Sequence, residues 1–207
     1  MILRTEPTEG VEDADFRARA TNAEVYNLVK DDLNQAATLL AGSGNTKNRA
    51  TQAGALALLS RVNLYTGDFA AAEAAATAAR AASTATLVND NGGGQLLSAW
   101  RATTHPESIF EIAMTPGSDG AATNSNGALQ SLTDARAENP ALQAFSFEVI
   151  PTADLIAAHE AGDARLTLYA AGVKASGGPV TYLRKYTGTT AQDVDRIPVI
   201  RVAEVYL

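Results

Sequence analysis

From residue 21 onward, apolar side chains recur at intervals of three and four, the period of a helix with one buried face. Thr21-Asn22-Ala23-Glu24 fits a capping box, in which the Thr hydroxyl and the Glu carboxylate each satisfy a backbone N–H at the helix start. Val25, Leu28, Val29, Leu33, Ala36, Ala37 and Leu40 then form one stripe, closed by Gly42-Ser43-Gly44. A second helix is predicted from about Thr51 to Thr66, with Leu56, Leu59 and Val62 inward and Tyr65 a further inward candidate; Gly67 suits the left-handed position after its end. Asp68 caps a third, Phe69 to about Ala82, whose alanines let it pack at close range on the second as an antiparallel hairpin.

The periodicity is weaker elsewhere. Residues 1–20 carry Pro7, Gly10 and a run of acids, and read as an extended, surface-lying lead-in. After Leu87 the chain breaks at Asn89-Asp90-Asn91-Gly92-Gly93-Gly94, with a short apolar patch around Leu96, Leu97 and Trp100. Ser108 to Met114 alternates as a half-buried strand does, with Phe110, Ile112 and Met114 on one face and Glu111 on the other. Thr115 to Asn139 is a Gly/Ser/Asn-rich loop whose length points to a functional excursion. Phe145 to Ile150 reads as a second short strand. Pro151-Thr152-Ala153-Asp154 opens a helix ending near Gly162, and Val180 to Thr187 looks extended. Pro198 stands at the start of a final helical stripe of Val199, Val202, Ala203 and Tyr206. No cap or stop follows Leu207, so a piece cut in mid-helix from a larger protein is expected.

The hairpin after Thr51 fits the later half of a tetratricopeptide repeat, with Gly67, Asp68, Phe69, Ala72 and Ala79 at the right offsets. Leu56 and Ser60 stand where the repeat's Trp and Gly belong, so it is an irregular repeat, and no second full copy occurs.

Composition narrows the function. A formal charge of -7 and no clustered Lys or Arg argue against nucleic acid. With 46% apolar residues and only 6% aromatics, the core should rest on closely approaching helices with small side chains. There is no cysteine, hence no disulfide, Cys-based zinc site or thiol nucleophile. No apolar run reaches signal-peptide or membrane-spanning length.

Catalytic constellations are missing. Glu24 with Asp31 and Asp32, and Asp154 with Glu160, read as helix-surface charges. His105 and His159 have no metal-ligand partner at suitable spacing and read as loop and helix-surface residues. Gly42 to Lys47 lacks the order of a phosphate loop, and neither Gly-x-Ser-x-Gly nor a Cys–His pair occurs. No metal and no cofactor are called for. Asp163 with Arg165, and Arg201 with Glu204, read as ion pairs or carbonyl contacts that fix helices.

Taken in order, the landmarks resemble the SusD/RagB family of outer-membrane glycan-binding lipoproteins. Thr21 through Asp32-Leu33 to Ala36-Ala37 is similar to a helix of that family, and Arg49-Ala50-Thr51 through Leu64-Tyr65-Thr66-Gly67-Asp68-Phe69 to its repeat. Glu107 to Ile112 resembles its "E.ifei" strand, Pro151 to Ile156 a helix start, and Asp163-Ala164-Arg165 its "D.R". Tyr182 to Tyr186 is similar to "y..Ky", and Asp195 to Leu207 to "d.pviRlaEvyL".

The resemblance implies a mostly α, tetratricopeptide-like fold with a few short strands and long loops, here a single segment incomplete at both ends. Residues 21–83 would be the helical hairpins, 84–150 the loop-rich ligand side, and 151–207 a helix, an extended segment and a truncated helix. It implies a non-catalytic protein that captures an oligosaccharide or polysaccharide at the outer membrane and delivers it to a SusC-like TonB-dependent transporter. Membrane association would come only from an N-terminal lipid anchor absent from this chain.

Sugar C–H faces stack on flat rings while Asn, Asp and Arg hold the hydroxyls. Trp100 is the one indole, and Asn124, Asn126 and Arg136 lie in the long loop; these are the candidate ligand residues. Two other readings compete: a tetratricopeptide-like scaffold for a protein partner, and a helical carbohydrate-processing enzyme.

Overall fold

Thr21 starts the first helix as its side chain dictates. Its hydroxyl accepts from the Glu24 amide at 3.2 Å, and its own amide donates to the Glu24 carboxylate at 2.7 Å. The computed structural model describes residues 2–7, 9–10, 18–90, 94–102, 104–113, 149–173, 178–185 and 197–206. These form two compact units: Met1–Thr46, Ala50–Thr84 and Glu204–Leu207 make the first, Lys47–Arg49 and Ala85–Ala203 the second.

In the first unit, α1 (Asn22–Leu39), α2 (Gln52–Tyr65) and α3 (Phe69–Ala82) pack in sequence order. The stripe from Val25 to Leu40 is the covered face of α1, with Ala37 fully buried. Thr51 caps α2 by accepting from the Gly54 amide at 3.1 Å, and Asp68 caps α3 through Ala71 at 3.2 Å. Between them Gly67 sits at φ +78°, and the bonds from its amide to Leu64 O (3.1 Å) and from Asp68 N to Asn63 O (2.9 Å) form a Schellman closure.

Alanine dominates this core: Ala53, Ala55, Ala57, Ala72, Ala75 and Ala79 are buried beside Leu59. Small contacts let α2 and α3 approach closely enough for the Ser60 hydroxyl to reach Ala72 O at 2.9 Å. Tyr65 departs from expectation. It is 71% exposed at the end of α2, while alanines fill the interface.

The second unit holds α4 (Gln95–Arg101), β1 (Ser108–Ile112), α5 (Ala153–Ala157), a 3₁₀ turn (Ala164–Leu168), β2 (Tyr169–Val173), β3 (Pro179–Leu183) and β4 (Ile197–Arg201); β4 runs directly into α6 (Val202–Val205). Antiparallel pairs β1–β4 and β2–β3 make two small sheets. Helices outweigh strands in the chain, as the sequence leads one to expect.

Three expectations fail here for physical reasons. Residues 198–201, expected to open the final helix, belong to a strand instead, because Val199 and Ile200 are β-branched and β1 offers an edge to pair with; the helix begins only at Val202. Irregular register between Ser108 and Glu111 turns β1 over, so that Glu111 is 1% exposed and Ile112 48%, the reverse of the alternation. The helix after Pro151 stops at Ala157, well short of Gly162, although Thr152 caps it by accepting from Leu155 N at 3.1 Å. Residues 115–139 and most of 145–150 lie outside the described residues.

Candidate functional site

Trp100 sits near the end of α4, a helix the sequence showed only as an apolar patch. Asp90 begins it by accepting from Gly94 N at 3.1 Å and Leu96 N at 2.7 Å, through the two oxygens of one carboxylate. The indole is half-buried and gathers polar groups from three other segments of the same unit. The His105 ring meets it edge-on at 4.7 Å between centroids. Lys185 Nζ lies 4.6 Å from the indole centroid and Arg201 Cζ 5.4 Å, both within cation–π range.

Buried carboxylates frame this cluster. Glu107 accepts from Arg201 Nη1 at 2.8 Å and from Val88 N at 2.9 Å, while its own amide donates to His105 Nδ1 at 3.2 Å. Glu111 accepts from His105 N at 3.3 Å. Lys47 donates to the carbonyls of His105 and Pro106 at 2.8 and 3.0 Å; burial lowers its pKa, while the charge of Glu111 works the other way. Hydrogen bonds offset much of the cost of burying Glu107, Glu111 and Lys47.

His105 lies in the loop between α4 and β1, as expected, but is only 3% exposed. Its Nδ1 is an acceptor, so the ring proton sits on Nε2, which is buried and meets no acceptor among the described residues. Burial, with the charges of Arg201, Lys47 and Lys185, holds its pKa down at about 4. Burial and then Arg201 likewise lower that of Lys185.

Other expectations are redistributed. Arg201 pairs with Glu107, whereas Glu204 takes Arg61 in a two-pronged contact at 2.5 and 2.7 Å. The Arg165–Asp163 pair is present, and Arg165 holds the Asp163 carboxyl well below its usual range. His159 bridges Asp163 (3.3 Å) and the Tyr169 hydroxyl (3.2 Å). Asn124, Asn126 and Arg136 lie outside the described residues. His105, Glu107, Glu111, Lys185 and Lys47 escaped the sequence reading as site residues. Glu107, Glu111 and Lys185 stand inside the landmark segments, and that was their only signal.

The helical unit carries a separate groove of about 650 Å³ between α1, α2 and α3, lined in part by Lys30, Asp31, Asn34, Leu59 and Asn63. Among the described residues no cluster of His, Cys, Asp or Glu suits a metal ion, and no helix is long and apolar enough to cross a membrane.

No family model matches the sequence, and no curated protein matches it. Solved structures do. A SusD-like carbohydrate binding protein from Bacteroides vulgatus is similar to it at a TM-score of 0.70 and 17% identity, over 99% of this chain and 42% of that one. A SusD superfamily protein from Bacteroides thetaiotaomicron is similar at 0.68 and 23%, over 99% and 45%. A second SusD superfamily protein from Bacteroides vulgatus is similar at 0.61 and 24%, over 91% and 41%. The chain therefore spans less than half the length of these structures.

Proposed function

We propose, from the premise that this chain has the SusD-like fold, that it is part of a protein that captures a glycan at the cell surface without breaking a bond in it. Support comes from the agreement over 99% of the chain with a carbohydrate-binding protein of that fold and from sequence landmarks in the family's order. Delivery to a SusC-like TonB-dependent transporter, and outer-membrane attachment through a lipid anchor, belong to the same reading.

Ligand selection would fall to the second unit, where the half-buried Trp100 stands among hydrogen-bonding groups. Asn124, Asn126 and Arg136 remain candidates on the 115–139 segment. The rigid α1–α3 helices would serve as the scaffold that carries these loops.

A glycan array probed with the full-length parent, beside a reducing-sugar assay on each glycan bound, tests this. Binding without sugar release, weakened by Trp100→Ala, supports it. Sugar release abolished by one Asp or Glu substitution overturns it in favour of an enzyme. The open groove of the helical unit, lined by alanines and leucines as well as by Lys30, Asp31 and Asn34, favours the second reading, a protein-binding scaffold. Array binding untouched by Trp100→Ala would assign this segment that role.

A further inference from the structure

We propose that the Trp100 cluster receives a negatively charged group carried on a glycan, a uronate carboxylate or a sulfate ester, with Lys185 as the cation that meets it. This deepens the glycan-binding reading and rests on it.

Among the described residues the charges of the cluster do not balance. Lys47, Lys185 and Arg201 contribute three cations, and Glu107 and Glu111 two carboxylates. Glu107 takes Arg201 at 2.8 Å, and the charge of Glu111 acts on Lys47. Lys185 is left over. Its ammonium lies 4.6 Å from the indole centroid, and among the described residues no carboxylate pairs with it. Burial and the neighbouring Arg201 both work against its charge, so an arriving anion relieves what now opposes it.

A second donor is unspent in the same place. The His105 ring accepts at Nδ1 and so carries its proton on Nε2, which is buried and has no acceptor among the described residues. His105, Lys185 and Arg201 all lie within 6 Å of Trp100 on the distances above. An anion there gains charge-assisted hydrogen bonds from Lys185 and from the His105 Nε2–H, beside an indole that already carries the two cations. A neutral hydroxyl supplies no compensating charge, so the site discriminates by charge.

The test is an array of uronate and sulfated glycans on several backbones, each beside its methyl-esterified or desulfated counterpart, probed with the full-length parent. The charged member of at least one pair should bind about tenfold more tightly. Lys185→Met should abolish that preference and Lys185→Arg retain it, with circular dichroism and the thermal midpoint confirming the fold. If Met disturbs packing on the indole, Lys185→Gln replaces it. The type of pair that discriminates separates carboxylate from sulfate. Equal binding within every pair, or a preference that survives loss of Lys185, overturns the inference. Binding of neutral glycans alone overturns it and leaves the glycan reading standing; binding of none removes both.

Discussion

Protonation of His105 should cost the second unit stability on mild acidification. The ring is buried among Arg201, Lys47 and Lys185, and its pKa is held at about 4 against 6.5 for a free imidazole. Above pH 6.5 it is neutral whether the chain is folded or not, and contributes no pH dependence. As pH falls from 6.5 to about 4, only the unfolded chain takes up the proton, so stability drops; below about 4 the folded chain takes it too and the loss levels off. The gap sets a ceiling of roughly 3 kcal/mol, and about 2 kcal/mol once screening around the part-exposed Lys185 and Arg201 is allowed for.

The chain's single tryptophan sits against this imidazole, which makes it the natural probe. Urea unfolding followed by Trp100 fluorescence, at pH 7.5 and 4.5, should show the wild type losing about 2 kcal/mol more than His105→Gln, in which the other titrating groups are unchanged. Equal losses in the two proteins would refute the burial and charge argument.

Glu107→Ala strands Arg201 in a partly buried site and orphans the Val88 amide, so it should destabilise by about 3–5 kcal/mol in urea unfolding; adding Arg201→Met should recover part of that loss. A loss below about 1 kcal/mol would show that solvent replaces the pair. Gly67→Ala meets no neighbouring atom but must hold φ +78°, so it should cost about 1–2 kcal/mol, read as a lower thermal midpoint by circular dichroism, with α2 and α3 otherwise intact.

The helical unit was legible in the sequence because its determinants are local. Thr21 with Glu24, Thr51, and Gly67 with Asp68 act within a turn of their own position, and the α1 stripe needs only the helix period. The second unit depends on partners far along the chain. Glu111 reads as an exposed strand residue until Lys47 and the His105 amide are seen to compensate its burial. β2, with Ala170, Ala171 and Gly172, has little strand propensity and exists by pairing with β3. Ile197–Arg201 becomes a strand for the same reason, since β1 supplies what periodicity could not show. Trp100 was recognisable as the one indole, but the cations around it come from residues 185 and 201 and had no local signature.

Glycan capture itself is decided by equilibrium titration of the full-length parent with the oligosaccharide it selects on an array, followed by chromatography of the recovered ligand. Saturable binding, weakened in Trp100→Ala, with the oligosaccharide returned intact, is the expected result. No saturable binding to any glycan, or a ligand returned shortened, would contradict it.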